Sequence, residues 1–526
     1  MPTRNLTIPA LLAAIAGPFL SAAWAASDTA PLAEPILWLE LDGYRPAPAG
    51  AVAPAPAPAH NDLLDHLRRG FQLPPVDNAA VQAQLNWFVR HPDYLTRVFN
   101  RAQRYLPYIT EQLESRGLPL ELALLPIVES AYDPFAYSHG RASGLWQIVP
   151  GTGTRFGIRQ NWWYDGRRDV VDSTNGALNY LAYLHELMDG DWLLAVASYN
   201  SGEGNVMKAK RRNRAASKPT DFWNLSLPRE TESYVPKLMA LVEIVRNPQA
   251  YSLTLPDLVH EPQFSIADIG SQLDLALAAE LAGITVDELY SWNSGFNRWA
   301  TDPNGPHRLL LPLDAAATFD TALATLAEDE RVRWQRHKVK SGEALSQIAE
   351  RYHTTLQAIR QANNINGNII RAGQHLMIPV ASKPLSDYSL SANERRVAKQ
   401  SKARDGQRID HKVSAGESFW SISRRYGVGM RELASWNSMA PRDTLSVGQK
   451  LVVWTDQAPA TVASSSISTT RKLNYTVRSG DSLSRIASRF RISIADLLRW
   501  NQLDKNKVLR PGQKLTMYVD VTSQSS

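Results

Sequence analysis

The clearest periodic pattern of apolar positions lies in residues 118–134. Leucine, isoleucine and valine recur there at helical spacing and predict a helix whose apolar face runs up to Glu129. Pro126 predicts a kink or a restart just before that carboxylate, and Asp133, which precedes a proline, predicts the end of the helix. Because apolar surroundings disfavour an ionised carboxylate, we expect the pKa of Glu129 to be raised, as a general acid near neutral pH requires.

The regions before this helix differ in composition. A helical pattern extends over about residues 61–250, whereas residues 26–60 are rich in alanine and proline and predict an extended linker. Residues 1–25 combine an early arginine, a short apolar run and the sequence Ala-Trp-Ala, which indicates a cleaved signal peptide and export to the periplasm. The apolar run is short for a membrane span, and a retained N-terminal anchor is the alternative.

A loop of small and polar residues follows the helix that ends near Glu129. Its glycines allow close approach of the backbone to a ligand, and Trp146 and Gln147 offer a ring and an amide to a polar polymer. Downstream, the aromatic stretch 162–165 lines a saccharide groove or forms a packed turn with a surface ion pair. His139 and His185 lack the spacing of metal ligands, so we expect no metal and no other cofactor.

Three similar segments occupy the second half of the chain, at residues 337–380, 411–454 and 474–519. Each begins like a β-strand, continues through a glycine–acid turn, an apolar helix and an asparagine, and closes with a glycine before a second strand. The spacing from turn glycine to asparagine is the same in all three, although the intervening linkers vary in length. This pattern predicts small independent βααβ units.

The stretches around these repeats are of two kinds. The segment 263–313 resembles a degenerate copy of the repeats. The segments Ser382–Asp410 and Ala458–Lys472 are polar, charged or rich in serine and threonine, and predict flexible linkers.

Composition narrows the class of protein further. A chain of 526 residues that is 44% hydrophobic and 21% charged is expected to form three or more soluble domains. The net charge of +6 favours an anionic polymer; peptidoglycan, with its peptide carboxylates, qualifies, and no nucleic-acid-binding motif appears. The absence of cysteine excludes disulfides, thiol nucleophiles and a lipid-modified N-terminal cysteine, so no lipid anchor is expected.

Four ordered motifs carry a family resemblance. Glu129-Ser130, residues 144–147, residues 198–202 and the stretch 230–235 resemble the motifs of the soluble-lytic-transglycosylase family. The resemblance covers about residues 80–250 and implies a mainly α, lysozyme-like catalytic domain that cleaves peptidoglycan glycan strands. The C-terminal repeats resemble LysM modules, which bind polymers that contain N-acetylglucosamine.

The resemblance also implies a mechanism with one carboxylate. Glu129 would protonate the β-1,4 bond between N-acetylmuramic acid and N-acetylglucosamine and then deprotonate the 6-hydroxyl, which closes a 1,6-anhydro ring. Trp146 stands where methionine is common in that family. The residues implied to contact or support the substrate near the cleaved bond are Ser138, Gln147, Tyr199, Asn200, Glu230 and Tyr234. The residues implied for glycan binding by the LysM modules are Gly342, Glu343, Gly416, Glu417, Gly480 and Asp481.

Two alternatives stay open at this point. A hydrolytic muramidase on the same fold would need a second carboxylate, for which Asp133, Asp165, Asp169 and Glu203 are candidates. A non-catalytic scaffold that binds the cell wall is the other alternative, although the presence of Glu129 and its companions argues against it. For either enzyme we expect a monomer whose partner is peptidoglycan and not nucleic acid.

Overall fold

The computed structural model describes residues 62–455, 470–477, 481–490, 494–501, 503, 509 and 512–520. Backbone contacts divide the chain into one unit of residues 1–402 with 434–443 and another of residues 403–433 with 444–526. The predicted signal peptide and the alanine- and proline-rich linker after it lie outside the described residues. Within the described ranges, no helix is both long and apolar enough to cross a bilayer.

Residues 62–259 form a helical domain. Its α-helices are α1 Leu63–Arg69, α2 Ala79–Val89, α3 Pro92–Ala102, α4 Leu106–Glu114, α5 Leu125–Ser130, α6 Pro150–Arg155, α7 Val170–Leu187, α8 Trp192–Ser201, α9 Glu203–Ala215 and α10 Arg229–Arg246. Helix α10 is apolar around most of its circumference from Leu238 to Val245, which is typical of a central helix. It accordingly contacts α1, α2, α5 and α8.

A first βααβ unit, residues 264–325, follows the helical domain. It consists of β1 Phe264–Asp268, α11 Leu275–Ala282, α12 Val286–Trp292, β2 Arg308–Pro312 and a further helix α13 Leu313–Thr325. Strands β1 and β2 pair antiparallel, with Phe264 opposite Pro312. The hydrophobic core of this unit includes Trp163 and Tyr164 of the helical domain, so the two parts share buried side chains.

Three modules with the same order of elements come next. Module 1 comprises β3 Arg333–Lys338, α14 Leu345–Arg351, α15 Leu356–Ala362 and β4 His375–Val380. After helix α16 Ala392–Ser401, module 2 comprises β5 Gln407–Lys412, α17 Phe419–Tyr426, α18 Met430–Trp436 and β6 Lys450–Thr455. Module 3 comprises β7 Thr470–Thr476, α19 Leu483–Arg489, α20 Ile494–Asn501 and β8 Lys514–Asp520. The predicted fold class, a mainly α domain followed by small βααβ modules, is confirmed.

An asparagine at the end of the second helix closes three of these units in the same way. Asn363 of module 1 donates from Nδ2 to the Met377 carbonyl (2.8 Å) and accepts from the Met377 amide (2.7 Å). Asn293 makes the same pair of bonds with Leu310, and Asn501 makes it with Thr516. We call this two-way bond the asparagine clamp, and it explains why the sequence of the first unit resembles the repeats.

The prediction of a flexible linker does not hold for Ser382–Asp410. This stretch contains helix α16, and Tyr388 before it is fully buried, with its hydroxyl 3.0 Å from both carboxylate oxygens of Asp274. The Ala392 amide also donates to the Asn297 carbonyl (2.9 Å). A buried tyrosine with a buried acceptor holds the segment against the first βααβ unit, which its polar composition could not indicate. Most of the second predicted linker, 458–472, lies outside the described residues.

Candidate active site

Glu129 lies near the C-terminal end of a very short helix. A 3-10 helix, Leu120–Leu124, precedes α5, and Pro126 occupies the first turn of α5, as the predicted restart requires. The helix ends earlier than the sequence predicted, since Ala131 and Tyr132 adopt left-handed φ angles of 51° and 57°. Such angles are costly for residues other than glycine and persist only where the surroundings enforce them.

Two hydrogen bonds fix this unusual turn. The Tyr132 hydroxyl, which is fully buried, donates to the Ala123 carbonyl at 2.6 Å. The Ser130 hydroxyl donates to the Leu145 carbonyl at 2.8 Å. The end of α5 is therefore tied to the loop that carries Gln147.

Glu129 is half-buried, and its carboxylate receives a hydrogen bond from the Tyr234 hydroxyl on α10. Burial raises the pKa of Glu129 to about 8; the Tyr234 hydrogen bond lowers it and the charge of Glu230 raises it. The predicted rise in pKa is confirmed. At neutral pH Glu129 holds a proton that it can transfer, as a general acid must.

Two tyrosines, both neutral, border Glu129. Burial raises the pKa of both Tyr199 and Tyr234 well above the ordinary value, and the charge of Glu129 acts in the same direction. Tyr199 donates to the Trp146 carbonyl (2.8 Å) rather than to Glu129, so Tyr234 is the residue that orients the carboxylate. Asn200, next to Tyr199, accepts from the Thr231 hydroxyl (2.8 Å).

Gln147 is held in a strained and defined position. Its φ is 46°, and its Nε2 donates to the Gly144 carbonyl (2.9 Å) and to the Ala136 carbonyl (3.4 Å). Within the described residues its Oε1 accepts no hydrogen bond. The side chain therefore presents an acceptor whose direction is set by the two bonds at the nitrogen.

Gly144 permits this loop to lie close to a neighbouring segment. Its φ is 80°, and a Cβ at this position would lie 1.9 Å from the Arg167 carbonyl oxygen. No side chain fits there, because that oxygen belongs to the backbone and cannot turn away. The glycine predicted from the motif thus serves contact within the protein.

Two further predicted residues have supporting positions. The Ser138 hydroxyl accepts from the Ala142 amide (3.0 Å) and closes the turn of residues 138–142. Glu230 is exposed in the first turn of α10, and its charge contributes to the raised pKa of Glu129. A hydrogen bond or a charge thus links Tyr234, Tyr199 and Glu230 to Glu129. Asn200 bonds instead to Thr231, and Gln147 and Ser138 bond to the backbone of the adjoining loop.

Trp146 does not offer a ring to a ligand, contrary to the sequence interpretation. Its side chain is fully buried, and its Nε1 donates to the Thr174 hydroxyl (3.0 Å) on α7. The partner lies far along the chain, so the loop sequence alone could not reveal this burial. The ring stabilises the loop from behind.

Behind the loop lies a buried ionic network that sequence reasoning missed. Asp165 accepts from Arg167 and Arg168, and all three are buried. Arg167 also donates to the carbonyls of Arg141 (2.6 Å) and Ile148 (3.2 Å), at the two ends of the Gln147 loop. Of the predicted packed turn with a surface ion pair, the packed aromatic part agrees with the burial of Trp163 and Tyr164, whereas the ion pair is buried and not at the surface.

The network continues into the first βααβ unit. Arg168 donates from Nε to the Ser294 carbonyl (3.0 Å) and from another nitrogen to the side chain of Asn297. Burial alone would raise the pKa of Asp165, but Arg168 and Arg167 hold it below its usual range. Asp165 thus joins the Gln147 loop on one side to the first unit on the other.

Three of the four candidate second carboxylates are engaged elsewhere. Asp165 pairs with its two arginines, and Asp169 caps α7 and pairs with Arg308. Glu203 pairs with Arg155 (3.1 Å) and accepts from the Tyr180 hydroxyl (3.1 Å). Asp133 accepts from the Phe135 amide (2.9 Å). This arrangement favours chemistry in which Glu129 acts alone.

In modules 1 and 2 the predicted LysM contact residues occupy the turn between the first strand and the first helix. In module 1, Gly342 has φ 78°, and Glu343 pairs with His337 (2.9 Å) and Arg351 (2.6 Å). In module 2, Gly416 has φ 82°, and Glu417 makes the equivalent contacts with His411 (2.8 Å) and Arg425 (2.6 Å).

Module 3 uses a different partner for its turn carboxylate. Asp481 accepts from the Tyr475 hydroxyl at 2.6 Å, and Gly480 lies outside the described residues. In modules 1 and 2 the carboxylate side chain therefore fixes the turn. Within the described ranges, no cluster of three histidine, cysteine or acidic residues could hold a metal ion.

Comparison with known families matches three kinds of domain in this chain. The Transglycosylase SLT domain matches residues 107–222, and the LysM domain matches residues 337–379, 411–454 and 475–517. A third family, described as "Lytic transglycosylase MltD, LysM-like domain", matches residues 263–328, which include the first βααβ unit.

Similar proteins include membrane-bound lytic murein transglycosylase D of Escherichia coli (strain K12), which is 36% identical over 397 residues, 73% of this chain and 84% of that protein. A putative tributyltin chloride resistance protein of an Alteromonas species is 38% identical over 34% of this chain and 86% of its own length. Among solved structures, an inactive mutant of the lytic transglycosylase Slt from Pseudomonas aeruginosa aligns with a TM-score of 0.23 at 23% identity, over 29% of this chain and 25% of that one.

Proposed function

This chain belongs to the family of membrane-bound lytic murein transglycosylase D, and on that premise we propose that Glu129 is the single acid–base group of a peptidoglycan lytic transglycosylase. The observation that carries this assignment is the carboxyl group of Glu129 itself, with its pKa raised to about 8 and its orientation fixed by Tyr234. A protonated carboxyl is the form that can donate to a leaving oxygen at neutral pH.

The reaction proceeds in two proton transfers through the same carboxyl group. Glu129 gives its proton to the oxygen of the β-1,4 bond, and the bond between that oxygen and C1 of N-acetylmuramic acid breaks. The substrate's own acetamido group stabilises the positively charged ring. Glu129 then takes the proton of the 6-hydroxyl as its oxygen bonds to C1. The product carries a 1,6-anhydro end, and no water is consumed.

The other site residues position the sugar. Gln147 offers Oε1 as an acceptor, since its Nε2 is already engaged with the backbone. The Asn200 Nδ2 donates no hydrogen bond within the described residues, and we assign it to the acetamido oxygen. Ser138 holds the loop at the cleavage point, Tyr199 fixes the Trp146 backbone, and the charge of Glu230 adds to the rise in the pKa of Glu129 that burial causes.

The modules hold the enzyme on its polymer. LysM modules on one chain raise the effective concentration of the catalytic domain along a glycan with repeating sites. We assign the glycan contact to the turn backbones at Gly342, Gly416 and Gly480, because the side chains of Glu343, Glu417 and Asp481 are bound internally. The enzyme is exported to the periplasm by a cleaved signal peptide, works there as a monomer, and is held by glycan contacts without a lipid anchor.

The test is the product and its dependence on Glu129. Mass spectrometry of digested sacculi is expected to show muropeptides lighter by one water than the products of hydrolysis. Glu129→Gln keeps the shape but removes the transferable proton, so turnover is expected to fall by roughly 10²–10⁴-fold with unchanged thermal unfolding. Reducing muramic ends would favour the hydrolytic alternative, and wild-type turnover in Glu129→Gln would overturn the assignment.

A further inference from the structure

A cavity of about 350 Å³ lies between the first βααβ unit, module 1 and the segment that carries α16. It is separate from the Glu129 site. Its lining includes Trp162, Arg298, Glu350, His353, Asn393 and Glu394. The volume falls within the range of small-ligand sites, and the lining combines an aromatic ring with groups of both charges.

Arg298 is the unusual member of this lining. Its guanidinium lies over the Trp162 ring, 4.2 Å from the centroid, and donates no hydrogen bond to any described residue. Its Nε is buried without a partner. Buried polar groups are nearly always hydrogen-bonded, so a buried Nε without a partner, on a guanidinium at a cavity wall, points to an acceptor that comes from outside the chain.

The surroundings of Arg298 add to the positive charge. Burial lowers its pKa to about 10, and the charges of Arg396 and Arg168 act in the same direction. Burial and the charge of Arg168 likewise lower the pKa of Arg395, to about 9. Both arginines remain cationic at neutral pH. Asp165, which counters the charge nearby, already holds the guanidinium of Arg168.

Two carboxylates line the same cavity. Glu350 on α14 and Glu394 on α16 both line it, and the Asn393 amide donates to the Glu394 carboxylate (3.1 Å). A ligand that carried only an anion would meet these carboxylates unfavourably. A ligand with a carboxylate and an amine matches both kinds of group, with the carboxylate at Arg298 and the amine at Glu394.

We propose that this cavity binds the short peptide of peptidoglycan, with a peptide carboxylate on Arg298, an amine at Glu394 and the apolar part of the peptide against Trp162. The inference rests on the proposed function, since the polymer supplies both groups on one peptide. Peptide capture here gives the enzyme a means to distinguish peptide-bearing strands from bare ones through contacts away from the cleaved bond.

The experiment measures binding of the isolated peptide, released from sacculi by an amidase, to the full-length protein by calorimetry. Arg298→Gln is expected to weaken binding by about tenfold, the scale of one hydrogen bond to a charged group. Arg336→Gln, an equal change of charge on the exposed face of β3, is the matched control and is expected to bind as the wild type does.

The amine has its own test. Glu394→Gln and acetylation of the peptide amine are each expected to weaken binding, and the two changes together are expected to cost no more than either one alone. Thermal unfolding checks that Arg298→Gln folds. If it does not fold, the Glu394→Gln variant and the acetylated peptide together test the proposal. Unchanged binding in both variants, or equally tight binding of inorganic phosphate, overturns the proposal.

Turnover on peptide-free glycan strands separates this inference from the proposed function. Both variants are expected to cleave such strands at the wild-type rate, because neither residue belongs to the Glu129 site. On peptide-bearing strands the variants are expected to lose the wild-type preference. Failure of the wild type to cleave bare strands by transglycosylation would count against the proposed function, whereas normal cleavage without peptide binding would count against the cavity alone.

Discussion

The first βααβ unit and module 1 have the same order of elements and the same asparagine clamp, yet they are stabilised differently. Module 1 has its own small core, which includes Leu345, Ile348 and Ile378, and it adds only Ala358 from its helices to the core of the first unit. The first unit shares its core with Trp163 and Tyr164 of the helical domain and sends Arg308 to the start of α7, where it pairs with Asp169 and Asp172. One topology thus serves as an integral part of the catalytic domain and, a short distance along the chain, as a binding module.

The contacts of the first unit indicate which part of the chain the chemistry requires. The first unit reaches the Gln147 loop through Ser294, Arg168, Asp165 and Arg167. Asp443, between α18 and β6, makes one ion pair with Arg141 next to that loop (2.8 Å). The catalytic part therefore extends beyond the predicted helical domain and includes the first unit.

The largest expected effect comes from shortening the chain at two points. A protein that ends at residue 262 is expected to lose cooperative folding and turnover on short soluble glycans, since Trp163 and Tyr164 become exposed at a cost of about 1.5–3 kcal/mol for each large side chain. A protein that ends at residue 402 is expected to keep that turnover within about threefold and to bind sacculi about 10²-fold more weakly. Circular dichroism and turnover assays check both; equal activity of the two would erase the distinction.

The buried network gives a smaller, more local comparison. Arg168→Gln leaves Asp165 with one arginine and is expected to lower the free energy of unfolding by about 3 kcal/mol, as loss of one partner of a buried pair does. Arg351→Gln in module 1 removes a half-exposed partner of Glu343 and is expected to cost at most about 1 kcal/mol. Urea unfolding monitors both variants, and a similar cost in the two would contradict the inferred difference.

Sequence reasoning succeeded where a feature depends on neighbouring residues and failed where it depends on distant ones. Glu129, Tyr234 and the restart at Pro126 follow from local pattern and motif. In the structure α5 begins next to Pro126, and Tyr234 bonds to Glu129. The burial of Trp146 depends on Thr174 on helix α7. The ionic network depends on Ser294 and Asn297, which lie more than a hundred residues from Arg168 along the chain. Contacts of that separation leave no local signal.

Tyr388 illustrates the same limit in a different segment. The residues around it are polar, so composition favours a linker, but one fully buried ring and its bond to Asp274 hold the stretch in place. The left-handed pair after α5 is equally hidden, because neither residue is a glycine.

The pH dependence of turnover is expected to follow the catalytic part alone. Because the protonated form of Glu129 is required and its pKa is about 8, kcat/KM is expected to fall as the pH rises through about 8, with the same limb in the chain that ends at residue 402. Tyr234→Phe removes the hydrogen bond that lowers this pKa, so its limb is expected to move to higher pH. A limb that moves on removal of the modules would instead place them within the active site.

The smallest expected effect concerns the stability of module 1 at low pH. Hydrogen bonds from the Lys340 amide and His337 lower the pKa of Glu343 to about 2, below the value near 4.3 of an unfolded chain. This carboxylate therefore stabilises the module above about pH 4, and the contribution is lost as the pH falls towards 2. Amide exchange in module 1 is expected to show this loss of stability. Glu343→Gln is expected to make the loss smaller, and Glu350→Gln, a change at an exposed position, is expected to leave it unchanged.

The asparagine clamp has a consequence for how the chain could diversify. A single side chain both donates to and accepts from one residue of the closing strand, so it supplies the rung that a third strand would otherwise provide to a two-stranded sheet. With that rung retained, the faces of the unit are free to change sequence without loss of topology. A duplicated module could in this way acquire the aromatic and charged surface that joins the first unit to the helical domain. That copy would become a fixed part of the catalytic domain, while the other modules remained separate binding units.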